Sequence, residues 1–131
     1  MSDQVLWPIP DREKQKPTPL KVLREQADAL KEATGGVLHG AVANQSAGEG
    51  KMEGVLLIRV PALGGHNVRL FSIVYSLEDP QSVTILFAGD PDDEFMPPSA
   101  KGVDEFTTAL AKILGSKKVQ RLINNLISLT Q

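Results

Sequence analysis

A chain of 131 residues with 41% hydrophobic and 23% charged residues has the composition of one ordinary globular domain, and with 5% aromatics its core must be built mainly from Leu, Ile, Val and Ala. Its formal net charge of -2 gives no global attraction to nucleic acid or to an anionic membrane, so neither is expected as a partner. With no cysteine there is no disulfide, no thiol nucleophile and no cysteine-ligated zinc.

Residues 1–18 read as an N-terminal arm ahead of a single domain at 19–131. The opening, MSDQVLWPIPDREKQKP, has no apolar run of signal-peptide length, and no run approaches the roughly 18 apolar residues of a membrane span. The expected address is therefore the cytoplasm. Leu6-Trp7-Pro8-Ile9-Pro10 holds the only tryptophan. Trp7 either folds back to cover apolar surface or docks on a partner or on a second copy of the chain.

Thr18 and Pro19 open a helix. Thr18 suits the N-cap, and Pro19 suits the first helical position because the N–H it lacks has no intrahelical partner there. Leu20, Leu23, Ala27 and Leu30 recur at helical spacing as one apolar stripe, and Gly35-Gly36 supplies the left-handed stop. Strand periodicity follows over residues 37–45, 51–60, 67–77 and 82–88, interrupted by turn chemistry at 46–50, 61–65 and 78–81. Connections this short cannot cross a sheet, so consecutive strands should pair antiparallel as a meander.

Residues 89–102 break every period. Val103, Phe106, Leu110, Ile113 and Leu114 then mark an amphipathic helix, which Gly115 ends. Ser116 caps a last helix with the stripe Val119, Leu122, Ile123 and Leu126. The expected fold is α+β, in the order α-β-β-β-β-α-α: a four-stranded antiparallel meander with one helix before it and two after. Helices are expected over much of both sheet faces, with any apolar area left over favouring a homodimer.

The stretch GVLLIRVPALGGHNVRLFSIVY, residues 54–75, sets one arginine in each of two apolar runs. If its turn centres near Gly64, Arg59 falls close to opposite Arg69, and His39 joins that side. Strict alternation then puts His39, Lys51, Glu53, Arg59, Asn67, Arg69, Phe71, Ile73 and Tyr75 on one face. Leu38, Val42, Leu56, Ile58, Val60, Val68, Leu70 and Val74 form the core face. Two readings of the arginines stand. They lie along the sheet and pair with Glu53 or a helix carboxylate, or Arg59, Arg69 and His39, with Tyr75 on the same face, hold an anionic ligand.

Other chemistry is sparse. Asp90, Asp92, Asp93 and Glu94 form an acidic loop without the alternating ligands of a calcium loop, so no metal is expected. The two histidines lack a Gly-x-Ser-x-Gly elbow, and Gly64-Gly65 is no phosphate-cradling loop, so no catalytic residue and no cofactor is expected. Lys117, Lys118 and Arg121 crowd a helix N-terminus, where positive charge opposes the dipole, and they are minor candidates for partner contact.

Pro19, Val22, Leu23, Glu25, Gln26, Ala27 and Leu30, followed by Pro61-Ala62-Leu63, resemble a family of small stand-alone bacterial proteins of unknown function over residues 17–85. That resemblance implies no activity, cofactor or catalytic residue. The expected function is a non-enzymatic module that binds itself or another protein. The alternative is a small anionic-ligand binder or enzyme that uses the cationic face.

Overall fold

The computed structural model of the chain describes residues 6–8, 15–87 and 99–131. Among these the fold is α+β. Helix α1 (Pro19–Ala33) leads into strands β1 (His39–Ser46), β2 (Lys51–Val60), β3 (His66–Ser76), β4 (Asp79–Phe87) and β5 (Ser99–Lys101). Helices α2 (Gly102–Leu114) and α3 (Lys117–Leu129) close the chain. The sheet is an antiparallel meander in the order β1-β2-β3-β4-β5.

The sheet thus has a fifth strand beyond the four expected. Ser99, Ala100 and Lys101 pair with Thr84, Val83 and Ser82 just before α2 begins. A three-residue strand is too short to display a period, and the adjacent Pro97-Pro98 reads as a break.

Local chemistry sets the helix ends. The Thr18 hydroxyl accepts from the Lys21 N–H at 3.3 Å, and the Ser116 hydroxyl accepts from the Val119 N–H at 3.4 Å. Both caps satisfy donors that a helix start otherwise leaves free. At the far end of α1 the Thr34 side chain accepts from the Leu38 N–H at 3.0 Å and lies 2.9 Å from the Leu30 carbonyl, which ties the last helical turn to the approach to β1.

Strict alternation fails at one point in β3, and much follows from it. Leu56 of β2 faces Phe71, but the next residue, Leu57, faces Arg69, so Leu70 is an extra residue in a β-bulge. Arg69 stays on one face while Leu70 and Phe71 both turn to the other. Beyond the bulge the parity of β3 is reversed. Phe71, Ile73 and Tyr75 therefore join Leu56 in the buried core, contrary to their expected place beside the arginines. Val74, expected in the core, changes sides with them.

All three helices pack against the face that carries Leu56, Ile58, Phe71 and Ile73. Leu23 and Ala27 of α1, Phe106, Leu110 and Ile113 of α2, and Val119 of α3 meet this face, rather than being shared between both faces as expected. A second cluster, Leu38, Ile58, Val60 and Leu126, extends the same layer toward the end of α3. The layers approach closely at Gly40. A Cβ there would lie 2.7 Å from Ala27 Cα and 2.8 Å from the Ala27 carbonyl carbon, so α1 rests backbone-to-backbone on β1.

Candidate functional site

The face away from the helices carries the polar residues singled out in the sequence. His39 lies opposite Arg59, whose partner on the other side is Asn67, while Arg69 lies opposite Leu57. The two arginines thus share a face but are not directly opposed, because the hairpin centres on Leu63 and not near Gly64, which brings Asn67 opposite Arg59. Their expected cross-strand juxtaposition is corrected to a diagonal one.

Arg69 is neutralised. Its Nη2 donates to Glu53 Oε2 at 3.0 Å and to the Ser72 hydroxyl at 3.1 Å. Ser72 in turn donates to Glu53 Oε2 at 2.6 Å, and Gln45 Nε2 donates to Glu53 Oε1 at 2.6 Å. The hydrogen bond from Ser72, then that from Gln45, then the charge of Arg69 hold the Glu53 carboxyl below its ordinary value, against the opposing effect of burial. Ser72 is 0% exposed, and its hydroxyl is bonded to both Arg69 and Glu53. A serine hydroxyl bonded to a carboxylate has the makings of a nucleophile. Here it has no access to a substrate, and the pairing is a strut across β1, β2 and β3.

Arg59 stands differently. Its guanidinium lies over the turn at Gly65, where a Cβ would come within 2.9 Å of Nη2, and Gly65 also has φ +75. The positive φ is what favours glycine there, since the guanidinium is a side-chain end able to move. Among the described residues Arg59 forms no ion pair. Tyr75 does not belong to this corner. It is 8% exposed on the helix-covered face, and its hydroxyl donates to Asn44 Oδ1 at 3.3 Å. The expected set of Arg59, Arg69, His39 and Tyr75 therefore reduces to Arg59 beside His39.

An apolar concavity that the sequence did not announce lies on the helical side. α3 packs back on α2 more closely than on α1, leaving a groove of about 330 Å³ between α1 and α3. Leu56, Ile58 and the bulge residue Leu70 form its floor. Ala29, Leu30 and Ala33 of α1 form one wall, and Val119, Ile123 and Ile127 of α3 form the other. Its polar lining is Gln26, Thr34 and Gln120, and none of its lining residues is ionisable.

The remaining candidates scatter. Lys117, Lys118 and Arg121 are exposed on α3 and form no ion pair among the described residues. Trp7 and its neighbour Leu6 are 78% and 81% exposed, so Trp7 does not fold back onto the domain. The acidic loop Asp90–Glu94 lies outside the described residues. Among the described residues no group of histidines and carboxylates converges as a metal site, and no helix is long and apolar enough to cross a membrane. Comparison with protein-family models, curated proteins and solved structures finds no match, so the resemblance over residues 17–85 brings no function with it.

Proposed function

We infer that the protein is a non-enzymatic interaction module that associates with a second copy of itself through the α1–α3 groove. The groove carries this reading. It is apolar, open and uncharged, and its floor of Leu56, Ile58 and Leu70 suits an apolar side chain better than a charged metabolite. The one serine–carboxylate pair described above is sealed and engaged with Arg69. Sedimentation equilibrium of the full chain tests the reading. The mass should rise from the 14.1 kDa of one chain toward twice that value with concentration. Ala29→Glu, which places a charge on an exposed part of the groove wall, should weaken the association at least tenfold. A mass fixed at one chain across the whole range would remove self-association from consideration.

Arg59 supports a second reading, an anion held between it and His39, since its guanidinium is exposed and without an ion pair among the described residues. Thermal unfolding across phosphates, nucleotides and organic acids distinguishes the two. Stabilisation by one of these that disappears in Arg59→Ala would favour the anion, and a flat panel would leave the groove as the binding site.

A further inference from the structure

We propose that the groove's occupant is the Leu6-Trp7-Pro8 segment of a second copy, so that two chains exchange arms. The proposal rests on the self-association reading and names the contact that carries it. Leu6 and Trp7 are large apolar side chains left in solvent ahead of α1, while an apolar groove runs along α1 from Gln26 to Thr34.

Size and chemistry match. An apolar cavity of roughly 150 Å³ takes a benzene ring. A groove of about 330 Å³ therefore has room for a bicyclic indole with the leucine beside it. The indole N–H is a donor only and needs an acceptor when buried. Gln120 supplies one at the rim. Its Nε2 is already committed to the Leu114 carbonyl at 2.7 Å, which leaves its Oε1 to accept. Pro8 biases Trp7 toward an extended backbone, so little freedom is lost when the segment docks.

A second copy is the host because within one chain Trp7 remains exposed. Reach alone does not prevent self-docking: the ten residues from Trp7 to Pro17 span up to about 35 Å when extended. Pro17 itself is held near β4, where its carbonyl accepts from Gln81 Nε2 at 3.0 Å. Reciprocal exchange satisfies two arms and two grooves in one closed twofold dimer.

Trp7 is the only tryptophan, so its emission reports the contact directly. Two full-length variants are mixed. Ala33→Arg keeps the arm and blocks the groove with a charge at an exposed site near the C-terminus of α1, where the helix dipole favours it. Trp7→Ala keeps the groove and removes the indole. Circular dichroism confirms that both are folded, and Ala29→Arg replaces Ala33→Arg if it is not. The expected result is that Ala33→Arg alone emits as a solvent-exposed indole. Adding Trp7→Ala should then shift its emission to the blue and protect it from acrylamide several-fold, in step with formation of a mixed dimer.

Unshifted emission in the mixture overturns the proposal. If wild type and Trp7→Ala dimerise equally while Trp7 stays exposed, the arm contact falls and self-association survives. If wild type is a monomer at every concentration, both fall. A blue-shifted, concentration-independent monomer would mean that the arm docks on its own chain, which also refutes exchange.

Discussion

Replacing Gly40 by alanine would insert one methyl group between β1 and the backbone of α1. The new carbon would stand 2.7 Å from Ala27 Cα and 2.8 Å from the Ala27 carbonyl carbon, with the Ala27 carbonyl oxygen nearer still. Carbon atoms pack at about 3.5–4.0 Å, so α1 must retreat by roughly 1 Å where it crosses the strand. A helix cannot retreat at one residue alone. The movement lifts Leu23 and Ala27, both buried in the main cluster, away from the sheet.

Overpacking of this kind costs about 1–3 kcal/mol, occasionally more. Alanine returns about 0.4–1 kcal/mol by narrowing the unfolded ensemble. Because the clash is with backbone and not with a mobile side-chain end, the upper part of the range applies, and the net loss should be about 2 kcal/mol. Urea unfolding followed by far-UV circular dichroism measures it as a lower midpoint with an unchanged slope. Gly54→Ala is the internal control. Its nearest neighbour is Leu20 Cδ1 at 3.0 Å, a side-chain end able to move, so its cost should stay below about 1 kcal/mol. Adding Ala27→Gly to Gly40→Ala should recover less than half the loss, since the obstructing atoms are those of the peptide chain. Gly40→Ala at or above wild-type stability would refute the backbone contact.

The Glu53 network makes stability depend on acid. Its folded-state pKa lies below the ordinary 4.5, so its contribution is complete above that value and is lost as pH falls through the lowered one. Glu53→Gln should therefore lose most of its disadvantage relative to wild type when urea midpoints are measured from neutral pH into the acid range; a disadvantage that stays constant with pH would exclude the linkage. The bulge makes a topological prediction. Deleting Leu70 leaves Leu56 facing Phe71 and Leu57 facing Arg69 in an unbroken ladder, so the chain should still fold, with a loss of about 2 kcal/mol from its half-buried side chain. Deleting Ser72 instead would throw Ile73 and Tyr75 out of the core and should abolish cooperative unfolding in the same denaturation assay.

The helices were legible because their signals are local. Thr18 before Pro19, Ser116 before Lys117, and stripes at three- and four-residue spacing need no tertiary information, and the helices lie where those signals put them. The first four strands were legible from period and turn residues, to within about three residues at their ends. The pairing of an arginine with Glu53 was one of the two readings open, and Arg69 follows it. Ser72 was missed because a serine within an apolar strand announces no chemistry until its neighbours are known. The groove was missed for a deeper reason. The separation between α1 and α3 is set by how α3 packs on α2, and a single-helix pattern carries no information about a gap between two helices.

The bulge resolves why an apolar hairpin carries arginines. In the run Arg69-Leu70-Phe71-Ser72-Ile73, strict alternation would set the guanidinium and the phenyl ring on one face, so that either a charge enters the core or a ring faces water. One extra residue separates them. Arg69 remains outside to meet Glu53 and Ser72, Phe71 turns fully into the core, and the sheet acquires one apolar face out of a sequence apolar at almost every position. The same residue has a second effect on that face. Having no partner of its own in the β2 ladder, Leu70 touches both buried clusters and forms part of the floor between α1 and α3. The device that sorts charge from core thus also shapes the groove, and the polar strut and the apolar groove are the two sides of one irregularity in β3.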